Sequence, residues 1–201
     1  MNTSLEHKTI VILVADHFDD ASVLYPALYW SGLGAKVILS PVTLPQKGDK
    51  PITGLHGTTI PLPSLPAGRR YTVVSLRELP MDKIDAVVIP GGYAVDTLRQ
   101  DKKVQELLAD CDDRGRVIGA LGLGVQILIT VDFSQNTEIL KTHKVTAAPS
   151  ISVEITQAKG RMENEPAMID NNLVTGRGIE DLPEFCEGVA LAIEQARPAR
   201  R

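Results

Sequence analysis

This sequence has little that could attack a substrate covalently or hold a metal. Its two cysteines, Cys111 and Cys186, sit in helical patterns among charged neighbours, without a CxxC pair and without metal-like spacing to the four histidines. That scarcity excludes a disulfide framework and reads both as reduced thiols. No apolar run approaches the ~20 residues of a membrane span, and apart from the terminal Arg197 to Arg201 there is no basic cluster, so neither a membrane nor a nucleic-acid surface is expected. A net charge of -4 points the same way. The opening residues MNTSLEHKT lack the basic-then-apolar pattern of a leader, which predicts a cytoplasmic protein whose partner is a small molecule or another protein.

The 201 residues, 43% of them hydrophobic and 23% charged, can bury one sizeable core, and no linker or repeat divides them. Lys8 to Ala15 is an almost unbroken β-branched run, as in a strand covered on both faces. Asp16-His17-Phe18-Asp19-Asp20 turns the chain, and Asp19 or Asp20 can cap a helix from about Ala21 to Ser31, which Pro26 should kink or break. Ala35 to Ser40 is a second strand. Prolines at 41, 45, 51, 61, 63 and 66 then forbid a long helix up to Gly68, and ITGLHGTTIPL predicts short antiparallel strands at the sheet edge.

Further strands are expected at Tyr71 to Leu76, Ile84 to Ile89, Lys144 to Ala147 and Leu173 to Thr175. Helices are expected from Asp101 to Arg114 and from Asp181 to Ala196, the latter capped by Asp181 with Pro183 in its first turn. Alternating strands and helices with glycines at strand ends define a flavodoxin-like doubly wound α/β sandwich: a mostly parallel sheet with an edge hairpin.

The chain is organised around RVIGALGLGVQILIT, residues 116–130. A strand from Val117 to Leu121 breaks at Gly122-Leu123-Gly124 and resumes as an apolar helix, so Gly122 stands at the apex of a strand-to-helix turn. As a dinucleotide loop this is a weak match, because Ile127 stands where the third glycine belongs. As a nucleophile elbow the context fits but the chemistry does not: Gly122 has no side chain, and no Ser, Cys or Thr adjoins it. Free N–H groups at Leu123 and Gly124 could still hold a small anion, and those at Gly92 and Leu123 an oxyanion. The Gly91-Gly92 pair after its strand lets backbone approach a ligand. His17, flanked by Asp16, Asp19 and Asp20, is either an exposed imidazole beside a solvated cap or part of a general acid/base pair with Asp19. His56 and His143 read as surface residues, and His7 belongs to the amino-terminal tail.

Five stretches in order, IVILVADHFDDASVLYP, VVIPGGYAVDTLRQDKKV, RVIGALGLGVQIL, HKVTAAPSI and NNLVTGRGIEDLPEFC, resemble the successive signatures of the ThiJ/PfpI superfamily across almost the whole chain, from Thr9 to about Glu194. The resemblance implies a class I glutamine amidotransferase-like, flavodoxin-like fold and a homodimer. It also implies a reactive site that this chain lacks. The family's elbow cysteine falls on Gly122, the histidine beside it on Leu123, the acidic partner of the cysteine on Ser22, and a later histidine on Ala148 before Pro149. Small residues at Ser22, Gly122 and Ala148 lead to the expectation of an enlarged pocket for a bulkier molecule. A backbone cradle of Gly91, Gly92, Leu123 and Gly124 would line it, with Tyr93 supplying a phenol and Asp19 and His17 handling protons. Arg177 to Ile179 of a second subunit would close it. The expected function is cofactor-independent, non-covalent acid/base catalysis (hydrolase, hydratase, lyase or isomerase), with a non-catalytic binding or scaffold homodimer as the alternative.

Overall fold

The computed structural model describes residues 3–46, 48–61 and 70–196; the predicted Leu62, Pro63, Pro66, Gly68 and Arg197 to Arg201 lie outside them. Taken along the chain, the elements are β1 (Thr9–Val14), α1 (Asp20–Gly32), β2 (Lys36–Pro41), β3 (Ile52–Thr53), β4 (Thr59–Ile60) and β5 (Thr72–Val73). There follow β6 (Ala86–Ile89), α2 (Ala94–Leu98), α3 (Lys102–Asp113), β7 (Val117–Leu121), α4 (Val125–Gln135), α5 (Ile139–Thr142) and β8 (Lys144–Val145). The last are α6 (Ser152–Gln157), β9 (Arg161–Met162), β10 (Ala167–Asp170), β11 (Leu173–Gly176) and α7 (Leu182–Gln195).

Seven strands form the main sheet in the order β10-β11-β7-β6-β1-β2-β5, all parallel except β10. Every residue of β1, β6, β7 and β11 is buried, which is why these segments read as continuous apolar runs instead of alternating ones. Helix α1 packs on α7, joined by the Trp30 indole donating to the Cys186 carbonyl at 3.0 Å, while α3 packs on α4. Strand order reverses between β1 and β6, so the loops leaving these two strands meet at the switch point where such sheets bind ligands.

The helix ends follow their side chains. Asp19 caps α1 by accepting from the Ser22 amide at 2.9 Å, Asp101 caps α3 through Lys103, and α1 runs unbroken through Pro26. Asp181 does stand before α7, but its carboxylate caps nothing, because the Arg177 guanidinium takes both oxygens at 3.0 Å.

Four expectations are corrected. The hairpin of β3 and β4 is antiparallel as predicted, yet it forms a two-stranded sheet of its own; β5 is the sheet edge. The Tyr71 to Leu76 strand shrinks to Thr72–Val73, since Ser75 caps a 3-10 turn beginning at Leu76. The Lys144 strand pairs with Arg161–Met162 outside the main sheet, whose other edge is the unforeseen β10. His143 is buried, its Nδ1 2.8 Å from the Ile139 carbonyl. No helix of the described residues is long and apolar enough to cross a membrane.

The detached hairpin is held by two carboxylates, Asp16 accepting from the Thr53 amide at 2.8 Å and Asp20 from the turn. Asp20, only 8% exposed, accepts from the His56 and Thr58 amides at 2.8 Å each, and a Cβ at Gly54 would stand 2.5 Å from its oxygen. The hairpin in turn braces the loop after β1, through His17 donating to the Thr53 carbonyl at 2.7 Å and Leu55 to the Phe18 carbonyl at 2.9 Å. Burial pushes the Asp20 pKa up, but the hydrogen bonds from Thr58 and His56 outweigh it and hold the carboxyl below its ordinary 3.8. A carboxyl depressed in the folded state stabilises fully above its unfolded pKa and loses that contribution as pH falls through the folded value. Asp20→Asn should therefore cost about 1–3 kcal/mol at pH 7, and the difference from the parent should shrink below about pH 4, measured by urea unfolding at several pH values.

Candidate functional site

The turn after β7 has the geometry of an elbow. Gly122 has φ of +57°, in the left-handed region, where a side chain costs about 1–2 kcal/mol. Space is not the obstacle there: a Cβ at Gly122 would meet only the Arg177 carbonyl oxygen, at an ordinary 3.6 Å. At Gly124, by contrast, it would press to 2.9 Å against the carbonyl oxygens of Ile89 and Pro90, so the start of α4 can lie this close to the end of β6 only with glycine there.

The loop after β6 is stitched to the loop after β1. Phe18 and Gly92 form an isolated bridge, Asp19 donates to the Gly91 carbonyl at 3.1 Å, and Tyr93 and Ala94 donate to the His17 carbonyl at 2.9 and 3.2 Å. Gly92 has φ of +90°, and any Cβ on it would overlap the Asp19 amide nitrogen.

Ser22 completes the seam: its hydroxyl donates to the Asp19 carbonyl at 2.7 Å and accepts from the Gly91 amide at 3.1 Å. Two corrections follow. Ser22, 1% exposed and bonded in both directions, plugs the space expected to be part of a hollow and offers a ligand nothing. Gly91, with its N–H on Ser22 and its carbonyl on Asp19, has no backbone group left for a cradle.

The amides of Gly92 and Leu123 remain, spent in none of the loop, cap or side-chain hydrogen bonds of the described residues. Ala148 lies beside them, its amide donating to the Gly122 carbonyl at 3.4 Å. Asp19 is half-buried, with Oδ1 used by the Ser22 cap. His17 is exposed and holds a left-handed backbone, φ +65°, unusual for a residue with a side chain. The Arg177 guanidinium is locked by Asp181 and, at 3.1 Å, by Asn164, and only its carbonyl faces Gly122. Ile179 is exposed.

Tyr93 and Leu123 point into a cavity of about 720 Å³ that also receives Gln126, Ile129, Ser150 and Glu154. The open space beside the elbow thus lies along α4, away from Ser22. Of these residues Tyr93 and Leu123 were expected from the sequence, whereas Ser150 and Glu154 carried no signal. Neither cysteine offers a thiolate to this cavity. Cys111 and Cys186 are buried, burial pushing the Cys111 thiol up to about 12 and that of Cys186 further still. Among the described residues no cluster of His, Cys, Asp or Glu could hold a metal.

A parallel sheet, a switch point between β1 and β6, and a glycine elbow at the end of β7 define an α/β protein of the nucleophile-elbow type in which the nucleophile itself is missing. The chain belongs to the DJ-1/PfpI family, whose model matches residues 8–191. Among curated relatives, Protein/nucleic acid deglycase 2 of Escherichia coli (strain K12) is 27% identical over 179 residues, spanning 89% of this chain and 93% of that protein. A protein of Pyrococcus abyssi named as a deglycase is 27% identical over 173 residues, 86% of this chain and 92% of its own. In fold, the chain is similar to a ThiJ/PfpI domain protein from Brachyspira murdochii, with a TM-score of 0.74 at 18% identity over 96% of this chain and 99% of the other. It is likewise similar to Drosophila melanogaster DJ-1beta, with a TM-score of 0.70 at 19% identity, covering 94% and 95% of the two chains.

If Ser22 is a plug, Ser22→Ala should leave the buried Gly91 amide unpaired and cost about 1–3 kcal/mol in urea unfolding. In the native protein both thiols should resist iodoacetamide and become reactive only on unfolding, as followed by mass spectrometry; labelling of Cys111 or Cys186 at the rate of a free thiol would contradict their burial.

Proposed function

We propose that this chain binds a small molecule bearing a carboxylate or carbonyl at the elbow, without forming a covalent bond. The observation that carries the proposal is that the Gly92 and Leu123 amides are spent in none of the loop, cap or side-chain hydrogen bonds of the described residues, beside an apex residue that has no side chain. Oriented N–H groups at the start of a helix favour negative charge. The deglycase activity named for the relatives is not carried over, because neither a thiol at Gly122 nor a carboxylate at Ser22 is present.

Non-covalent acid/base catalysis at the same place is the second reading, and one observation favours it. His17 keeps a costly left-handed backbone beside the half-used Asp19 carboxylate, and strain of this kind gathers at functional positions. In that reading Asp19 or His17 moves the proton while the Gly92 and Leu123 amides stabilise the oxyanion or enolate. Pairing as a homodimer and a cytoplasmic location belong to the same proposal; sedimentation velocity on the purified protein tests the pairing.

The cradle is tested by filling it. Gly122→Leu should weaken binding of hexanoate at least tenfold in titration calorimetry while the protein stays folded by circular dichroism; unchanged affinity would remove the elbow from the site. Asp19→Asn and His17→Ala should leave hexanoate affinity within about threefold in the binding reading, whereas a loss of turnover in both would establish the catalytic one. Gly122→Cys alone should not produce glyoxalase activity, since the Ser22 hydroxyl is already bonded twice.

A further inference from the structure

A cavity of about 430 Å³ lies between α3 and the two 3-10 turns that lead into β6, Leu76–Glu78 and Met81–Lys83. No residue of the elbow lines it. One wall is a single face of α3 and its end, where Lys103, Glu106, Leu107, Asp110 and Arg114 follow helical spacing. The other wall is Leu76, Arg77, Leu79 and Met81. Leu76, Leu79 and Leu107 are buried and give the cavity an apolar floor. The Arg116 guanidinium, beneath the floor, donates to the Met81 carbonyl at 2.5 Å and so ties the turn to the start of β7.

The charges around that floor do not cancel. Glu106 takes the Lys103 ammonium at 2.8 Å, while Asp110 takes Arg114 Nε at 2.7 Å and lies 3.6 Å from Arg116. Both carboxylates of the lining are thus spent on cations of their own segment. Arg77, facing them across the cavity, has only its backbone amide bonded, to the Ser75 hydroxyl; its guanidinium has no partner among the described residues. Glu78 follows it but is not part of the lining, and Asp82 stands 3.6 Å from Arg114.

We propose that this cavity is a second binding site, for a monoanion with a flat apolar body, an aryl-substituted carboxylate being the class that fits. Its volume falls within the ~300–1,000 Å³ usual for small-molecule sites. The body lies on Leu76, Leu79, Met81 and Leu107, taking apolar surface out of water. The carboxylate pairs with Arg77, whose fork of N–H donors matches two oxygens at once. A second negative group would meet Glu106 and Asp110, and a cation would find no unpaired carboxylate in the lining.

Titration calorimetry of the intact protein with cinnamate, cinnamyl alcohol and cinnamylamine tests this. Cinnamate should bind about fivefold more tightly than the alcohol, the amine no better than the alcohol, and the advantage of the acid should shrink in about 0.5 M salt. Arg77→Gln removes no side-chain contact of the folded chain, so it should bring cinnamate down to the affinity of the alcohol and leave the alcohol unchanged. Equal affinity for acid and alcohol, a preference for the amine, an Arg77→Gln protein that keeps the full preference, or failure of all three to bind would each overturn the second site. Gly122→Leu should leave cinnamate binding intact; its loss there would seat the carboxylate at the elbow, overturning this site while supporting the cradle.

Discussion

Everything near the candidate site depends on how closely two loops can approach. The segment after β1 and the segment after β6 come together as backbone on backbone, through the Phe18–Gly92 bridge and the Asp19 amide on the Gly91 carbonyl. Only glycine fits at position 92, where the Asp19 nitrogen occupies the space of a Cβ. That approach fixes the Gly92 amide, brings the first turn of α1 under it, and gives Ser22 two bonding partners at once. On the far side Gly124 does the same for α4, letting the elbow lie against the end of β6. The geometry of both turns is therefore a property of main chain held at close quarters.

Support for these loops comes from an unexpected direction. The β3–β4 hairpin contributes no strand to the main sheet; Ile60 and Ile52 pack it on the core, and its polar hold comes from Asp20 and Asp16 and from the backbone bonds to His17 and Phe18. A buried carboxylate with two amide donors is a strong anchor, because leaving those groups unpaired costs more than the bonds gain. The left-handed His17 is thus clamped from both sides, by the hairpin and by the Tyr93 and Ala94 amides on its carbonyl.

The main sheet was legible in the sequence because strands covered on both faces leave long β-branched runs, and β1, β2, β6, β7 and β11 are all of that kind. Short elements were not. β10 has partly exposed, mixed residues and no alternation to betray it, and the hairpin's separation from the sheet depends on hydrogen bonding that composition does not encode. The elbow and its vacant chemistry could be read from Gly122, Leu123 and Ser22 alone. What could not be read was that a serine in place of a carboxylate would close space instead of opening it. Its size suggested room; its two hydrogen bonds filled the gap. His143 was misplaced for a similar reason, since a polar turn on paper proved to fold its imidazole back onto the carbonyl of Ile139.

The seam built by Ser22 also bears on substitution at the elbow. Sulfur chemistry there would require a thiol at position 122 and an acid at position 22, and either change alone strains the turn. A cysteine by itself accepts a strained backbone with no partner for its sulfur, and a glutamate by itself breaks the bridge to Gly91 while bringing a charge into a packed interior. The two positions are therefore coupled through the Gly91 seam, and each change is tolerated only in the company of the other.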